Sequence, residues 1–526
     1  MLVMTYNSLF FVLFFTVFLL LYLLMPRPLP RRLVILAGNI FFYKFAGGLN
    51  LMVIVLVSAL LVYLCTRRME KIYDGFEKEA EGLSKKEQVP LLAAYKKRTK
   101  RWLIAGIVIL LGVLVYVKVG RLLGWEEVAY LRDFTFMKIM VPLGLSYYTF
   151  SAVGYMADVY WRKAKAEHNI LTLVTCMTYF PTIVQGPISR YDKLMKQFNE
   201  LPGFSYERVC HGLQRMWWGF FKKCVIADRI TPVTSMIFAD VFSYAGVEMV
   251  LAVIGNVIAI YMDFSGCMDI VIGAAEAMGV TLDENFRQPF FSKSAAEFWR
   301  RWHITLGAWF KDYVYMPIAM NPRFMKLTGS ARKKFGNRFA KVFSAAVPLM
   351  IVWILTGLWH GTGKDYLLWG VYWGILIVIE TAFSKELKAI PQKLHMKTES
   401  FGYAFFQMLR TCIFFAIGRM ITACGAGRSV FLIFRQIFSE PRFGKLFDGS
   451  LYTYGINEKN MHVLIIGIAV VWFVDILASK FDVREKLDAQ PLLFRWVVYY
   501  LLVMSVIIFG IYGNAYDASA FVYGGF

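Results

Sequence analysis

Residues 321–360 read NPRFMKLTGSARKKFGNRFAKVFSAAVPLMIVWILTGLWH. The first half, 321–341, holds seven basic residues and no acidic one, and the second is an apolar run that closes on Trp359-His360. A basic flank followed by about 20 apolar residues is the pattern of a bilayer crossing with its charged end on the cytoplasmic side. Working outward, further apolar segments lie at about 9–25, 33–46, 51–65, 102–119, 137–157, 169–185, 209–228, 246–263, 365–384, 400–421, 461–478 and 492–513. The 526-residue chain is 58% hydrophobic and 18% charged, with a mean hydropathy of +0.52. Soluble domains average roughly 45–50% apolar and about 25% charged, so this chain has more apolar surface than one soluble core can hide. The expectation is an all-α, polytopic transmembrane helical bundle of about 11–13 spans, plus one or two re-entrant or interfacial pieces.

The net charge of +22 follows the same logic. Five segments, 27–32, 66–101, 162–167, 321–341 and 385–399, together carry +19, and alternating spans place them all on one side. That side is expected to be cytoplasmic, which makes the charge a marker of topology rather than a nucleic-acid footprint. The longest opposite segment, 423–460, carries only +2. Residues 66–101 mix Glu with Lys and Arg and read as a cytoplasmic surface helix or helix pair. The first apolar run precedes Arg27, Arg31 and Arg32 without a small-residue cleavage site, so it reads as a first span with its N-terminus extracytoplasmic and not as a cleaved signal. Seven scattered cysteines without C-x-x-C spacing read as small packing residues. One membrane domain over 1–526 is expected, with 261–363 as its catalytic core segment.

Polar chemistry concentrates between Tyr261 and Pro317, where Asp263, Asp269, Glu276 and an Asn285-Phe286-Arg287 turn interrupt apolar sequence. Ionisable groups at membrane depth are costly, so they are functional or paired inside the bundle. On a continuous helix over 297–315, Phe298, Trp302, Thr305, Trp309 and Tyr313 form one stripe, and Arg300, His303, Gly307 and Lys311 share another face. Such a helix suits an interface or the wall of a wet cavity, with His303 either functional or a bystander. Of six histidines, His360 is the one most deeply tied to an apolar run. It is either a hydrogen-bonded packing residue or a general base working near neutral pH in a shielded channel. Arg300, Arg301 and Lys311 either anchor the topology or hold the phosphates of an anionic ligand, with the basic 321–341 segment as a rim. Asp263 and Asp312 read as braces for cations. No H-e-x-x-h zinc helix, nucleophile elbow or P-loop is present, so metallohydrolase, serine hydrolase and nucleotide-driven pump readings lack their parts, and no metal is expected.

The residues Phe298-Trp-Arg-Arg-Trp-His303, Trp309-Phe-Lys-Asp-Tyr313 and Leu358-Trp-His-Gly361 resemble the membrane-bound O-acyltransferase family. Within it they are similar to the bacterial branch containing the alginate O-acetylation membrane protein and the D-alanyl transfer protein of teichoic acids. Tyr261–Gly266, Glu284–Phe286, Pro142–Phe150, Phe180–Arg190 and Tyr516–Tyr523 extend the likeness along nearly the whole chain. The resemblance implies a helical fold around a central funnel, with His360 as the principal catalytic histidine and His303 as the second. It implies a cytoplasmic thioester as acyl donor (acetyl-CoA or a carrier-protein thioester), no bound cofactor, and a hydroxyl acceptor. It also implies acetylation of an extracytoplasmic cell-surface polysaccharide, a soluble or anchored SGNH-type acyltransferase as partner, and residence in a bacterial cytoplasmic membrane. Arg300, Arg301, Lys311 and Trp302 would bind the donor, while Asp263, Asn285, Asp312 and Trp359 would orient the site. D-alanyl transfer to teichoic acid is the alternative within the family, and a flippase or transporter that makes no bonds is the alternative outside it.

Overall fold

The structure, a computed structural model, describes residues 4–26, 28–122, 143–361, 363–423 and 429–512. Pro142, Thr362 and the 516–523 motif lie outside the described residues. Among those described there is no strand, and one isolated bridge joins Phe286 to Trp302. Among the described residues, eight helices are long and apolar enough to cross a membrane: Leu51–Ala80, Lys85–Val117, Val247–Ala277, Pro322–His360, Lys364–Ala382, Phe401–Ala423, Glu458–Ala478 and Leu492–Phe509. Shorter apolar helices add Leu9–Leu24 and Val430–Ser439. The chain is an all-α, multi-pass membrane protein.

Two apolar segments of the sequence take a different form from a simple span, each for a local reason. Residues 169–185 break into Ile170–Met177 and Phe180–Ile183. The Asn39 amide donates to the Thr175 carbonyl and the Thr178 hydroxyl, and its oxygen accepts from the Phe180 N–H. One buried side chain therefore satisfies the backbone groups that a continuing helix would have used. Residues 209–228 form the helix Tyr206–Phe220 and then a π-helical stretch, Phe221–Ala227. Stretches of this kind gather at functional or strained places. Here Lys222 and Lys223 are both buried within it and point to carboxylates.

The chain divides into two compact units. The first comprises Met1–Leu213 with Val271–Asp283. Its charged 66–101 segment is the paired ends of the helices Leu49–Ala80 and Lys85–Leu122, closed by Phe76, Ala80 and Tyr95. Phe11, Phe14, Phe15, Phe18, Phe42 and Phe180 stack into an aromatic core. The second unit comprises Gln214–Ile270 with Glu284–Phe526 and contains every residue of the candidate site.

Inside the second unit, buried charge is neutralised across the 247–277 helix. Lys223 pairs with Asp263 and with Asp228 (2.8 Å), all three nearly inaccessible. Lys222 pairs with Asp269, which also takes Arg215 at 3.0 Å, and Arg215 reaches Glu284 at 2.6 Å. Tyr261 donates its hydroxyl to Asp475 at 2.9 Å. A charge left alone in this medium would be strongly disfavoured, so the pairing settles which faces of these helices meet.

Candidate active site

The helix expected over 297–315 is broken at His303. Ala295–Arg301 and Ile304–Phe310 are separate helices, followed by a π-helical turn, Lys311–Tyr315. His303 itself sits in the left-handed region, at φ 48° and ψ 50°. A non-glycine residue there is uncommon, and such strain collects at functional sites. The cause of the break lies upstream. Arg287 N–H donates to the Arg301 carbonyl (3.0 Å), and Ile304 N–H to the Asn285 carbonyl (3.1 Å), so 285–287 pairs with 301–304 where the helix would have run on.

The first short helix is held at its start. Ser294 accepts from Glu297 N–H at 3.1 Å, and Glu297 accepts from Lys293 N–H at 3.0 Å. Ser294 thus caps the helix, and the Glu297 carboxylate ties back the residue that precedes the cap. Glu380, from the Lys364–Ala382 helix, accepts from the N–H groups of Ala295 (2.8 Å) and Ala296 (3.0 Å). That carboxylate meets the positive end of a helix dipole inside an apolar wall, which locks the His303 segment onto the helix that follows His360.

His360 closes the Pro322–His360 helix. Its position depends on a close crossing with Lys364–Ala382. A Cβ on Gly370 would stand 2.4 Å from the Trp353 carbonyl, and one on Gly357 would stand 2.4 Å from that of Tyr366. Only glycine allows this approach. Tryptophans close the surroundings: Trp299 meets Trp353, Trp369 and Trp373 at centroid distances of 4.8, 5.6 and 5.1 Å.

The two histidines come together. Their ring centroids are 6.4 Å apart, with His303 2% and His360 5% exposed. Trp359 contacts both rings, at 5.9 Å and 4.8 Å, and Phe264 packs edge-on against His303 at 4.8 Å. Beneath His303, the Asn285 side-chain oxygen accepts from the Thr305 N–H (3.0 Å), the Thr305 hydroxyl (2.9 Å) and His303 Nδ1 (3.3 Å). A backbone N–H can only donate, so the Asn285 oxygen must face it, and Nδ1 of His303 must carry the proton. Nε2 then presents a lone pair, buried and without a hydrogen-bond partner among the described residues. His303 lies outside the membrane-length helices, and its burial pushes the imidazole down to about 3. It is therefore a neutral acceptor at physiological pH.

The other anticipated residues are distributed around this centre. Arg300 and Lys311 are exposed, and Arg301 pairs with Glu297 at 2.7 Å. Trp302 is buried at 3% among Phe264, Phe286, Phe298 and Phe415. Asp263 turns to Lys223, and Asp312 lies half-buried in the π-helical turn. Sequence reading took Asp263 as a cation brace, which Lys223 fits, but missed Glu380 and Asp228. Both had a signal, since a carboxylate or ammonium inside an apolar run must find a counter-group.

The sequence model described as MBOAT, membrane-bound O-acyltransferase family, matches residues 161–424. A protein of Pseudomonas aeruginosa named as a probable alginate O-acetylase is 33% identical over 305 residues, covering 57% of this chain and 54% of that protein. A peptidoglycan O-acetyltransferase of Helicobacter pylori is 26% identical over 318 residues (55% and 56%). A teichoic acid D-alanyltransferase of Bacillus subtilis is 29% identical over 247 residues (46% and 60%). The chain spans a little over half the length of the relatives it matches.

Proposed function

The chain belongs to the membrane-bound O-acyltransferase family, and on that premise we propose that it transfers an acyl group, foremost acetyl, from a cytoplasmic thioester to a hydroxyl destined for an extracytoplasmic cell-surface polysaccharide. The observation that carries the reading is the pair of buried imidazoles, 6.4 Å apart, one with an unpartnered lone pair. Acyl transfer from a thioester needs a base for the attacking hydroxyl and a proton for the departing thiolate. His360 takes the hydroxyl proton as the oxygen attacks the carbonyl. The C–O bond forms, the C–S bond breaks, and the proton passes from His360 to the thiolate. His303, a neutral Nδ1–H tautomer, offers Nε2 as an acceptor. Its part is to receive a hydrogen bond from the acceptor hydroxyl or from an amide N–H of the donor, rather than to donate to an oxyanion.

Arg300, Arg301 and Lys311 flank His303 in sequence and supply cations for the phosphates of acetyl-CoA or of a carrier's phosphopantetheine. Trp302 contributes to the same region as packing beneath them. The names of the relatives support acetyl transfer to alginate or peptidoglycan and, as a second reading, D-alanyl transfer to teichoic acid. The setting proposed is a bacterial cytoplasmic membrane with the N-terminus outside, and the partner proposed is an SGNH-type acyltransferase that completes delivery to the polysaccharide.

The test is purified protein in liposomes with radiolabelled acetyl-CoA and, in parallel, a D-alanyl carrier thioester. Release of free CoA that falls about 10²–10⁴-fold in His360→Ala supports catalysis by this site. Label that crosses the bilayer with its thioester intact, equally in wild type and variant, would establish a transporter instead. Turnover of the D-alanyl thioester alone would select the second reading.

A further inference from the structure

The basic stretch 321–341 is not used by the site above, and its geometry assigns it a different ligand. The long helix Pro322–His360 is two helices, parted at Gly336, whose φ of 86° and ψ of 171° no helix contains. The first, 322–335, folds back on the second, because Phe324 stacks on Phe343 with centroids 5.9 Å apart and planes at 26°. From Phe343 to His360 the helix rises about 25 Å at roughly 1.5 Å per residue. A pantetheine arm, about thirteen bonds, reaches roughly 15 Å at the pitch of an extended chain. Backbone positions on 322–335 near Phe324 thus stand farther along the helix from His360 than the pantetheine arm alone extends.

We propose that 322–335 lies along the membrane surface and binds anionic phospholipid. At about 100° per residue, Phe324, Leu327, Thr328, Ala331 and Phe335 share one arc of about 100°. Arg323 and Lys334 border that arc on one side and Arg332 on the other, while Lys326 and Lys333 lie on the opposite face. Cations that flank an apolar stripe on both sides match the boundary between acyl chains and headgroups. Part of this apolar surface is left free: Leu327 is 54%, Phe335 57% and the neighbouring Met325 60% exposed, while Phe324, Thr328 and Ala331 are half-buried, Phe324 against Phe343. Of the seven basic residues, Arg338 pairs with Glu386; the others have no carboxylate partner among the described residues. Where this helix begins, Tyr313, Val314, Pro317, Ile318, Asn321 and Phe324 line an open cavity of about 370 Å³, mostly apolar, which offers room for part of an acyl chain beside the cationic headgroup site. Each cation near a negatively charged leaflet strengthens attachment about fivefold.

The experiment compares backbone hydrogen exchange over 322–335 in the full chain, held in nanodiscs of phosphatidylcholine alone or with one-third phosphatidylglycerol. Exchange is expected to slow at least about tenfold with phosphatidylglycerol, while exchange in 364–382 stays the same. The added protection should vanish in Lys326→Gln/Arg332→Gln/Lys333→Gln/Lys334→Gln, and Leu327→Gln should weaken it. Equal exchange in both lipids would overturn the proposal. So would protection in pure phosphatidylcholine on adding CoA, which would return these cations to the acyl donor.

Discussion

Asn285 shows how much one amide can decide. Its oxygen collects three hydrogen bonds, and the weakest of them selects the tautomer of His303. The role proposed for that imidazole needs its neutral form, so activity should be present above its pKa and lost as pH falls through it. With the pKa pushed down to about 3, wild-type kcat should show no acid limb from His303 between neutral pH and about 4. Asn285→Asp keeps the three bonds but adds a negative charge, which favours the imidazolium. Its acid limb should move upward by about one to three pH units. Asn285→Leu removes the tautomer lock and should lower kcat about 10–100-fold. Nitrogen NMR of labelled histidine provides the check independent of rate: a His303 signal unchanged between wild type and Asn285→Leu would contradict the lock. His303→Ala should impair transfer severely without altering monodispersity in detergent. None of this was legible from spacing, because Asn285 and Thr305 are 20 residues apart and meet only through the 285–287 and 301–304 pairing.

At the level of elements, periodicity identified the helices and misplaced a boundary. The aromatic stripe of 298, 302, 305 and 309 argued for one helix through His303, whereas the chain breaks there. Hydrophobic period is a local signal, and the hydrogen bonds that end this helix come from another segment. The glycines around His360 were, by contrast, readable as a short pattern. The crossing they permit is testable. Gly370→Ala places a methyl against the Trp353 carbonyl and should cost about 1–3 kcal/mol, with acyl transfer reduced as His360 shifts. Gly112→Ala, which meets nothing within 4 Å, should be neutral or slightly stabilising. Thermal unfolding in detergent distinguishes them, and equal melting temperatures would show that the close crossing has no such cost.

Over the whole molecule, the second unit combines an apolar exterior with a charged interior. Lys223 stands between Asp228 and Asp263, so Lys223→Met removes the cation that these two buried carboxylates share. It should be strongly destabilising, whereas Asp263→Asn, which leaves Asp228 to balance the lysine, should cost less. Chemical unfolding in detergent orders the two, and the reverse order would mean that the pair and not the triad is the stabilising unit. Run length, composition and the placement of basic residues were enough to establish a helical, many-times-crossing membrane protein. They also showed His360 to end an apolar run, since water-to-lipid transfer depends on side-chain chemistry and helix length, both written locally. The meeting of His303 with His360, the proton on Nδ1, the glycine crossing and the partners of Lys222 and Lys223 are settled by contacts between segments far apart in the chain. Those contacts depend on which helix faces meet, and a periodic pattern identifies a face without naming its neighbour.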